Sequence, residues 1–171
     1  IALNPDAHFG REKYQLLAIR WLLEAPSAEN LEFVPSIFDI VDSSNDTTKG
    51  RGISSYPTLD GEYSDAVEGL TGLIRLGAAW ESIDIHYAVF LALYPRGDSS
   101  IAQVAVRRIK ELRREGNESI SKAWLKPAEE SGLGLDYLWS RSIHVMTDEG
   151  QPRAEDEIDL WFDSAREEAE R

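Results

Sequence analysis

Apolar side chains recur along most of this chain at the three- and four-residue spacing of an α-helix. A first run covers residues 9–23 at mixed spacing, which predicts a well-buried helix that ends before Pro26. Ser27 can cap a second run, whose apolar positions fall within residues 31–41. Because Pro35 interrupts this second run, we expect a kink there, or two short helices.

A polar, turn-rich stretch without periodicity covers residues 43–60. It is longer than the ~12–15 residues of an ordinary unstructured connection, so we expect it to be either mobile or functional. Helical spacing resumes over residues 63–80, although Gly69, Gly72 and Gly77 lie in this segment. Each glycine weakens a helix by up to about 1 kcal/mol relative to alanine. We therefore expect a neighbouring helix to approach closely on the glycine face.

The most apolar segment covers residues 83–94, where almost every position is hydrophobic. This composition predicts a central core helix, with a buried strand as the alternative because the run is short. An amphipathic helix follows, with Ser99 or Ser100 as its cap and Gly116-Asn117 as its end. Its apolar stripe consists of Ile101, Val104, Ala105, Ile109 and Leu112. Arg107, Lys110, Glu111 and Arg114 lie away from that stripe.

The remaining periodic segments predict two short helices within residues 119–146 and a last helix over residues 155–171. Acidic residues in the first turn of the last helix suit the positive end of a helix dipole. Its apolar positions are Ile158, Trp161, Phe162 and Ala165. We predict an all-α fold of seven or eight helices in antiparallel pairs, as a helical bundle or a short α-solenoid. Residues 1–171 are expected to form a single domain.

One stretch of the chain carries a family resemblance. Residues 14–40 join a Trp-Leu-Leu helix end, a short polar turn and a second apolar helix. This stretch resembles HEAT- or armadillo-like helical repeats found in large fungal proteins of unknown function. The resemblance implies a piece of an α-solenoid used for interaction or sensing, and it carries over no catalytic residue. The long 43–60 segment departs from a regular repeat array.

Composition limits the classes of partner and compartment. Eighteen basic and 31 acidic residues leave a net charge of −13, which disfavours binding to nucleic acid or to an anionic membrane. No apolar run reaches the ~20 residues needed to cross a bilayer. The absence of cysteine fits a reducing compartment, so we expect a cytoplasmic protein. Because the chain starts at Ile1 without a signal peptide or an initiator methionine, we expect a segment of a longer polypeptide.

No motif with the spacing of a known catalytic or cofactor site is present in the sequence. His8, His86 and His144 are the only histidines, and zinc would need further ligands beside them. Acidic clusters at 129–130 and 155–157 are more simply explained as solvated helix ends than as a carboxylate site. We predict no catalytic residue, no bound metal and no cofactor.

Basic residues concentrate in one region of the chain. Residues 101–127 carry seven basic and three acidic side chains, whereas residues 128–171 carry four and thirteen. Arg107, Lys110 and Arg114 are therefore the candidate partner-binding residues, on a face that suits an acidic partner. The simpler alternative is a solvated flank that pairs with the acidic C-terminal segment of the same domain.

The sequence is compatible with two functions of different classes. The first is a non-enzymatic α-helical interaction or scaffold module that binds another protein or a second copy of itself. The second is a helical enzyme or carrier whose aromatic core encloses an apolar ligand pocket. The aromatic residues in question are Trp21, Phe38, Trp80, Phe90 and Trp139.

Overall fold

A computed structural model describes residues 11–25, 36–40, 63–77, 79–94 and 99–120, together with Leu160 and Ser164. Four α-helices account for most of these residues: α1 (Arg11–Glu24), α2 (Ala66–Leu76), α3 (Ile83–Leu93) and α4 (Ser99–Arg114). Two 3₁₀ helices, Ile37–Ile40 and Ala79–Glu81, accompany them.

The described part of the chain is all-α, as the periodicity predicts. Residues 83–94 are helical, so the buried-strand alternative for this segment is wrong, and no strand occurs within the described ranges. The predicted loop at 43–60 and residues 121–146 lie outside those ranges. Of the predicted last helix only Leu160 and Ser164 are described, and both are helical and exposed. The count of seven or eight helices therefore stays a prediction.

Helix α3 is the centre of the core. All of its residues from Ile83 to Leu93 are buried, including the polar Asp84 and His86. It packs against α4, α2 and both 3₁₀ helices, which explains why its sequence has no polar face. Ser82 caps its N-terminus, because the Ser82 hydroxyl accepts a hydrogen bond of 3.3 Å from the Ile85 backbone amide.

Helix α4 ends where the sequence predicts. Gly116 has a φ of 92°, a left-handed conformation that glycine adopts without strain. The Gly116 amide donates to the carbonyl of Arg113, and the Asn117 amide donates to the carbonyl of Leu112. This pair of hydrogen bonds is a Schellman motif, which satisfies carbonyl groups at the end of the helix.

The segment predicted as one helix over residues 63–80 forms two elements. Helix α2 ends at Leu76, where the Gly77 amide donates to the carbonyl of Leu73, and a separate 3₁₀ helix starts at Ala79. Gly69 confirms the expected close approach, because a methyl group at this position would overlap the buried ring of Tyr14 on α1. A methyl group at Gly72 would instead make an ordinary contact of 3.6 Å with Arg11.

Tyr14 anchors α1 to the start of α2. Its hydroxyl donates a 2.7 Å hydrogen bond to Asp65, and Lys13 lies 3.6 Å from the same carboxylate. Burial alone would raise the pKa of Asp65, but the Tyr14 hydrogen bond and the Lys13 charge outweigh it. The pKa of Asp65 therefore lies below its ordinary value. The Lys13 ammonium also lies 4.6 Å from the ring centre of Tyr63.

Helix α1 is not buried on all sides, which corrects the prediction from its mixed apolar spacing. Tyr14, Leu17 and Trp21 form its buried face, at the i, i+3, i+7 spacing of one helix stripe. Its other large apolar side chains are exposed, because the described elements contact only one side of the helix. These residues are Leu16, Ile19, Leu22 and Leu23.

His86 is a buried titratable group in the central helix. Its Nε2 lies 3.2 Å from the carbonyl oxygen of Trp80. Burial lowers the pKa of His86 to about 4; the Trp80 hydrogen bond opposes this shift, and the nearby Arg108 charge adds to it. His86 is therefore neutral in the folded protein at neutral pH.

The low pKa of His86 predicts acid sensitivity. Between pH 6.5 and 4 the unfolded chain protonates this histidine and the folded chain does not, so stability falls as pH falls. At pH 5 this linkage lowers the free energy of unfolding by about 2 kcal/mol relative to pH 7. In urea titrations at pH 7 and pH 5, the free energy of unfolding of His86→Gln should fall much less between the two pH values than that of wild type. An equal fall in both proteins would contradict the lowered pKa of His86.

Candidate binding groove

A groove lies where α1 meets the C-terminal end of α2, the Ala79–Glu81 3₁₀ helix, the start of α3 and the residues that follow α4. Its volume is about 470 Å³. Most of its wall is apolar, because α1, α2 and α3 each present hydrophobic side chains to it. The apolar residues of the wall are Ala18, Ile19, Trp21, Leu22, Leu73, Leu76, Ala79, Ile85 and Ile120.

The large apolar side chains at the rim of this groove are exposed. Leu22 of α1 is 61% exposed, and Leu76 at the end of α2 is 69% exposed. Ile19 and Ile120 are exposed as well. Because all four side chains line the same groove, they are accessible to a molecule that binds there.

A buried acidic residue holds the rim segment that follows α4. Asp84, in the first turn of α3, accepts a 2.7 Å hydrogen bond from the Ser119 hydroxyl and a 3.0 Å bond from the Ile120 amide. The Asn117 side-chain amide donates to the carbonyl of Glu81 at 3.4 Å. These contacts bring Ile120 to the groove, opposite α1, although the two are far apart in sequence.

The polar groups of the groove are unevenly distributed. Arg11 and Gln15 lie on the α1 side, whereas Glu81 and Glu118 lie on the side of α3 and the segment after α4. Trp21 lies in the wall at 1% exposure, and its indole nitrogen makes no hydrogen bond to any described residue. A buried donor without a partner costs about 1–3 kcal/mol.

The three predicted partner-binding residues do not share one environment. Arg107 is only 8% exposed, so its expected position on a solvated flank of α4 is wrong. Lys110 is half-buried and Arg114 is exposed. None of the three lines the groove. Their role in binding a partner stays a prediction.

Arg108, which is not one of the three predicted residues, forms two ion pairs in this region. It lies 2.7 Å from Glu111 and 3.7 Å from Glu115. Its guanidinium also lies 5.9 Å from the ring centre of Trp80. Both carboxylate partners lie in α4 or in the turn that ends it, so the predicted pairing of the basic region with the acidic C-terminal segment stays a prediction.

Of the four described aromatic residues proposed to enclose a ligand, only Trp21 lines the groove. Trp21 lines the groove, whereas Phe38 and Phe90 are buried in the core and do not line it. Trp80 is exposed, and Trp139 lies outside the described residues. The sequence analysis did not single out Leu22 or Leu76 as candidate groove residues. For Leu22, the signal that could have found it is that α1 has more apolar positions than one buried stripe needs.

Within the described ranges no three acidic or histidine side chains are placed to share a metal ion. None of the helices described has both the length and the apolar character needed to cross a bilayer. Comparison with known proteins finds no matching family model, curated protein or solved structure. The groove is therefore interpreted from its own geometry.

Proposed function

We propose that this chain is a non-enzymatic α-helical interaction module that binds a helical segment of another protein in the groove. The observation that carries the proposal is the exposed apolar rim formed by Ile19, Leu22, Leu76 and Ile120. A groove between helices suits the apolar face of a partner helix, which would insert side chains at i, i+3 or i+4 and i+7.

The packing of the described helices supports a short α-solenoid as the scaffold. Helix α1 packs on α2, α2 on α3, and α3 on α4, so the main contacts join helices that are consecutive in sequence. Local stacking of this kind is typical of helical repeats. We also propose that these helices pair antiparallel in a HEAT- or armadillo-like arrangement.

The proposal predicts which exposed leucines contribute to peptide binding. Leu22 lines the groove, whereas its neighbour Leu23 is 78% exposed and does not. We expect Leu22→Ser to weaken binding of a fluorescent 14-residue amphipathic Leu/Gln helical peptide by about tenfold, as for a buried interface anchor. Leu23→Ser should change the affinity by less than about twofold, since a residue outside the groove contributes little. Fluorescence anisotropy measures both affinities.

Both leucines are exposed in the free protein, so circular dichroism should show the same helix content in each variant. Absence of peptide binding by the wild-type chain, or an equal loss in the two variants, would contradict the proposal. Sedimentation velocity separates a second outcome, in which another copy of the chain occupies the groove. Self-association that Leu22→Ser abolishes and Leu23→Ser does not would identify that occupant.

An apolar small molecule is the second candidate ligand, because a volume of about 470 Å³ falls within the size range of small-molecule pockets. Titration with a neutral apolar dye, N-phenyl-1-naphthylamine, distinguishes the two ligands. Saturable binding of one dye molecule without peptide binding would favour a carrier. Displacement of the dye by the helical peptide would favour the interaction module.

A further inference from the structure

The charged groups of the groove define the chemistry of its partner. Glu81, Asp84 and Glu118 line it, and Arg11 is the one basic residue among its described lining residues. From this imbalance we infer that the segment bound in the groove is a basic amphipathic helix. Its apolar face would meet the rim, and lysine or arginine on its flank would pair with Glu81 and Glu118. The inference rests on the proposed function and deepens it.

The two exposed carboxylates are available to a partner. Glu81 ends the Ala79–Glu81 3₁₀ helix, and Glu118 follows the turn that ends α4. Neither forms an ion pair with any residue in the described ranges, in contrast to Glu111 and Glu115, which pair with Arg108. An unpaired carboxylate at the rim can form an ion pair with an incoming cation without breaking an existing one.

The fold brings together the two chain segments that carry these carboxylates. Asn117 bonds to the carbonyl of Glu81, and Asp84 bonds to Ser119 and to the amide of Ile120. The segment carrying Glu118 is therefore tied to the segment carrying Glu81. Asp84 adds a third acidic group behind them, buried at 4% exposure. This part of the groove lining thus contributes three acidic residues, whereas the part from α1 is mainly apolar.

Long-range electrostatics favour the same partner. The chain carries a net charge of −13, so it attracts basic segments and repels acidic ones before contact. The chain's own segment 155–171 has a suitable apolar stripe by sequence, but four of its first five residues are acidic. Its acidic start has the wrong charge for this rim, which argues against residues 155–171 as the occupant.

The test compares three fluorescent peptides that share one leucine stripe and differ only in flanking residues, which are lysine, glutamine or glutamate. A fourth peptide carries residues 155–171 of this chain. With the 171-residue chain at low salt, the lysine peptide should bind about tenfold more tightly than the glutamate peptide, since two partly shielded ion pairs replace two repulsions. The preference should shrink toward unity at about 0.5 M salt because screening weakens exposed ion pairs.

Matched variants locate the preference in the groove. Glu81→Gln combined with Glu118→Gln should reduce the lysine-over-glutamate preference to about twofold and leave the glutamine peptide unaffected. The control pair Glu24→Gln and Glu68→Gln removes the same charge at exposed positions outside the groove lining. It should leave most of the preference intact. Equal effects of the two double variants would show a general charge effect and would overturn the inference.

The possible outcomes distinguish a failure of this inference from a failure of the proposed function on which it rests. If all three designed peptides bind equally, the charge assignment fails and the interaction module stands. If the 155–171 peptide or the glutamate peptide binds best, the occupant is acidic and the inference is wrong. If no peptide binds, the proposed function itself fails.

Discussion

Replacement of Gly69 by alanine is expected to lower the free energy of unfolding by about 3 kcal/mol, although alanine is the better helix former. A methyl group at this position would lie 3.1 Å from Cγ of Tyr14 and would overlap the ring carbons Cδ2 and Cε2. The Tyr14 ring is fully buried, and its hydroxyl is anchored to Asp65 at 2.7 Å. The ring cannot shift, and the two helices cannot move apart, without losing packing contacts in the core.

Gly72 supplies the matched control on the same helix. A methyl group there would meet Arg11 at 3.6 Å, which is ordinary van der Waals contact. Gly72→Ala should therefore leave stability unchanged or raise it by up to about 1 kcal/mol through helix propensity. Urea unfolding monitored by circular dichroism measures both variants. Similar effects of the two substitutions would mean that α1 and α2 do not approach each other as described.

The second large effect is expected at Asp84, where substitution by alanine should cost about 3 kcal/mol of unfolding free energy. The substitution removes the acceptor for both the Ser119 hydroxyl and the Ile120 amide, at a position only 4% exposed. A hydrogen bond to a charged group contributes about 1.5–3 kcal/mol, and a donor left buried adds a penalty. Asp84 also lies in the first turn of α3, where a negative charge is favourable.

Ser119→Ala separates the two hydrogen bonds of Asp84. It removes only the hydroxyl donor, so it should cost about 1 kcal/mol and leave the Ile120 amide bonded. Because the Asp84 contact holds Ile120 at the groove, Asp84→Ala should also weaken binding of the amphipathic peptide at temperatures where the variant is folded. Ser119→Ala should retain most of that binding. Equal stability losses in the two variants would show that Asp84 does not make both contacts.

Features that depend on neighbouring residues in the chain were predicted well. The dense apolar run at 83–94 predicted a core helix, and α3 is buried along its whole length. The end of α4 at Gly116-Asn117 was predicted because glycine in a left-handed conformation closes a helix through local hydrogen bonds. The close approach expected at Gly69 also followed from the sequence, since a glycine within a helix needs a compensating contact.

Features that depend on how helices face each other were predicted less well. Arg107 lies away from the apolar stripe of α4 by periodicity, yet the structure buries it, and periodicity alone does not show how much of a helix its neighbours cover. The mixed apolar spacing of α1 predicted a well-buried helix, whereas Leu16 and Leu22 are exposed. An apolar side chain favours burial, but only the packing shows whether another element covers it.

The amino-acid sequence alone determined that the described segments are helical, because side-chain period, proline and glycine stops and capping residues act over a few neighbouring positions. It also determined the net charge of −13. Only the tertiary structure decided where Leu22, Leu76 and Ile120 meet, since residues far apart in sequence form one groove through the packing of α1, α2 and α3. The acidic rim of that groove depends in turn on the hydrogen bonds that Asp84 and Asn117 make across the fold.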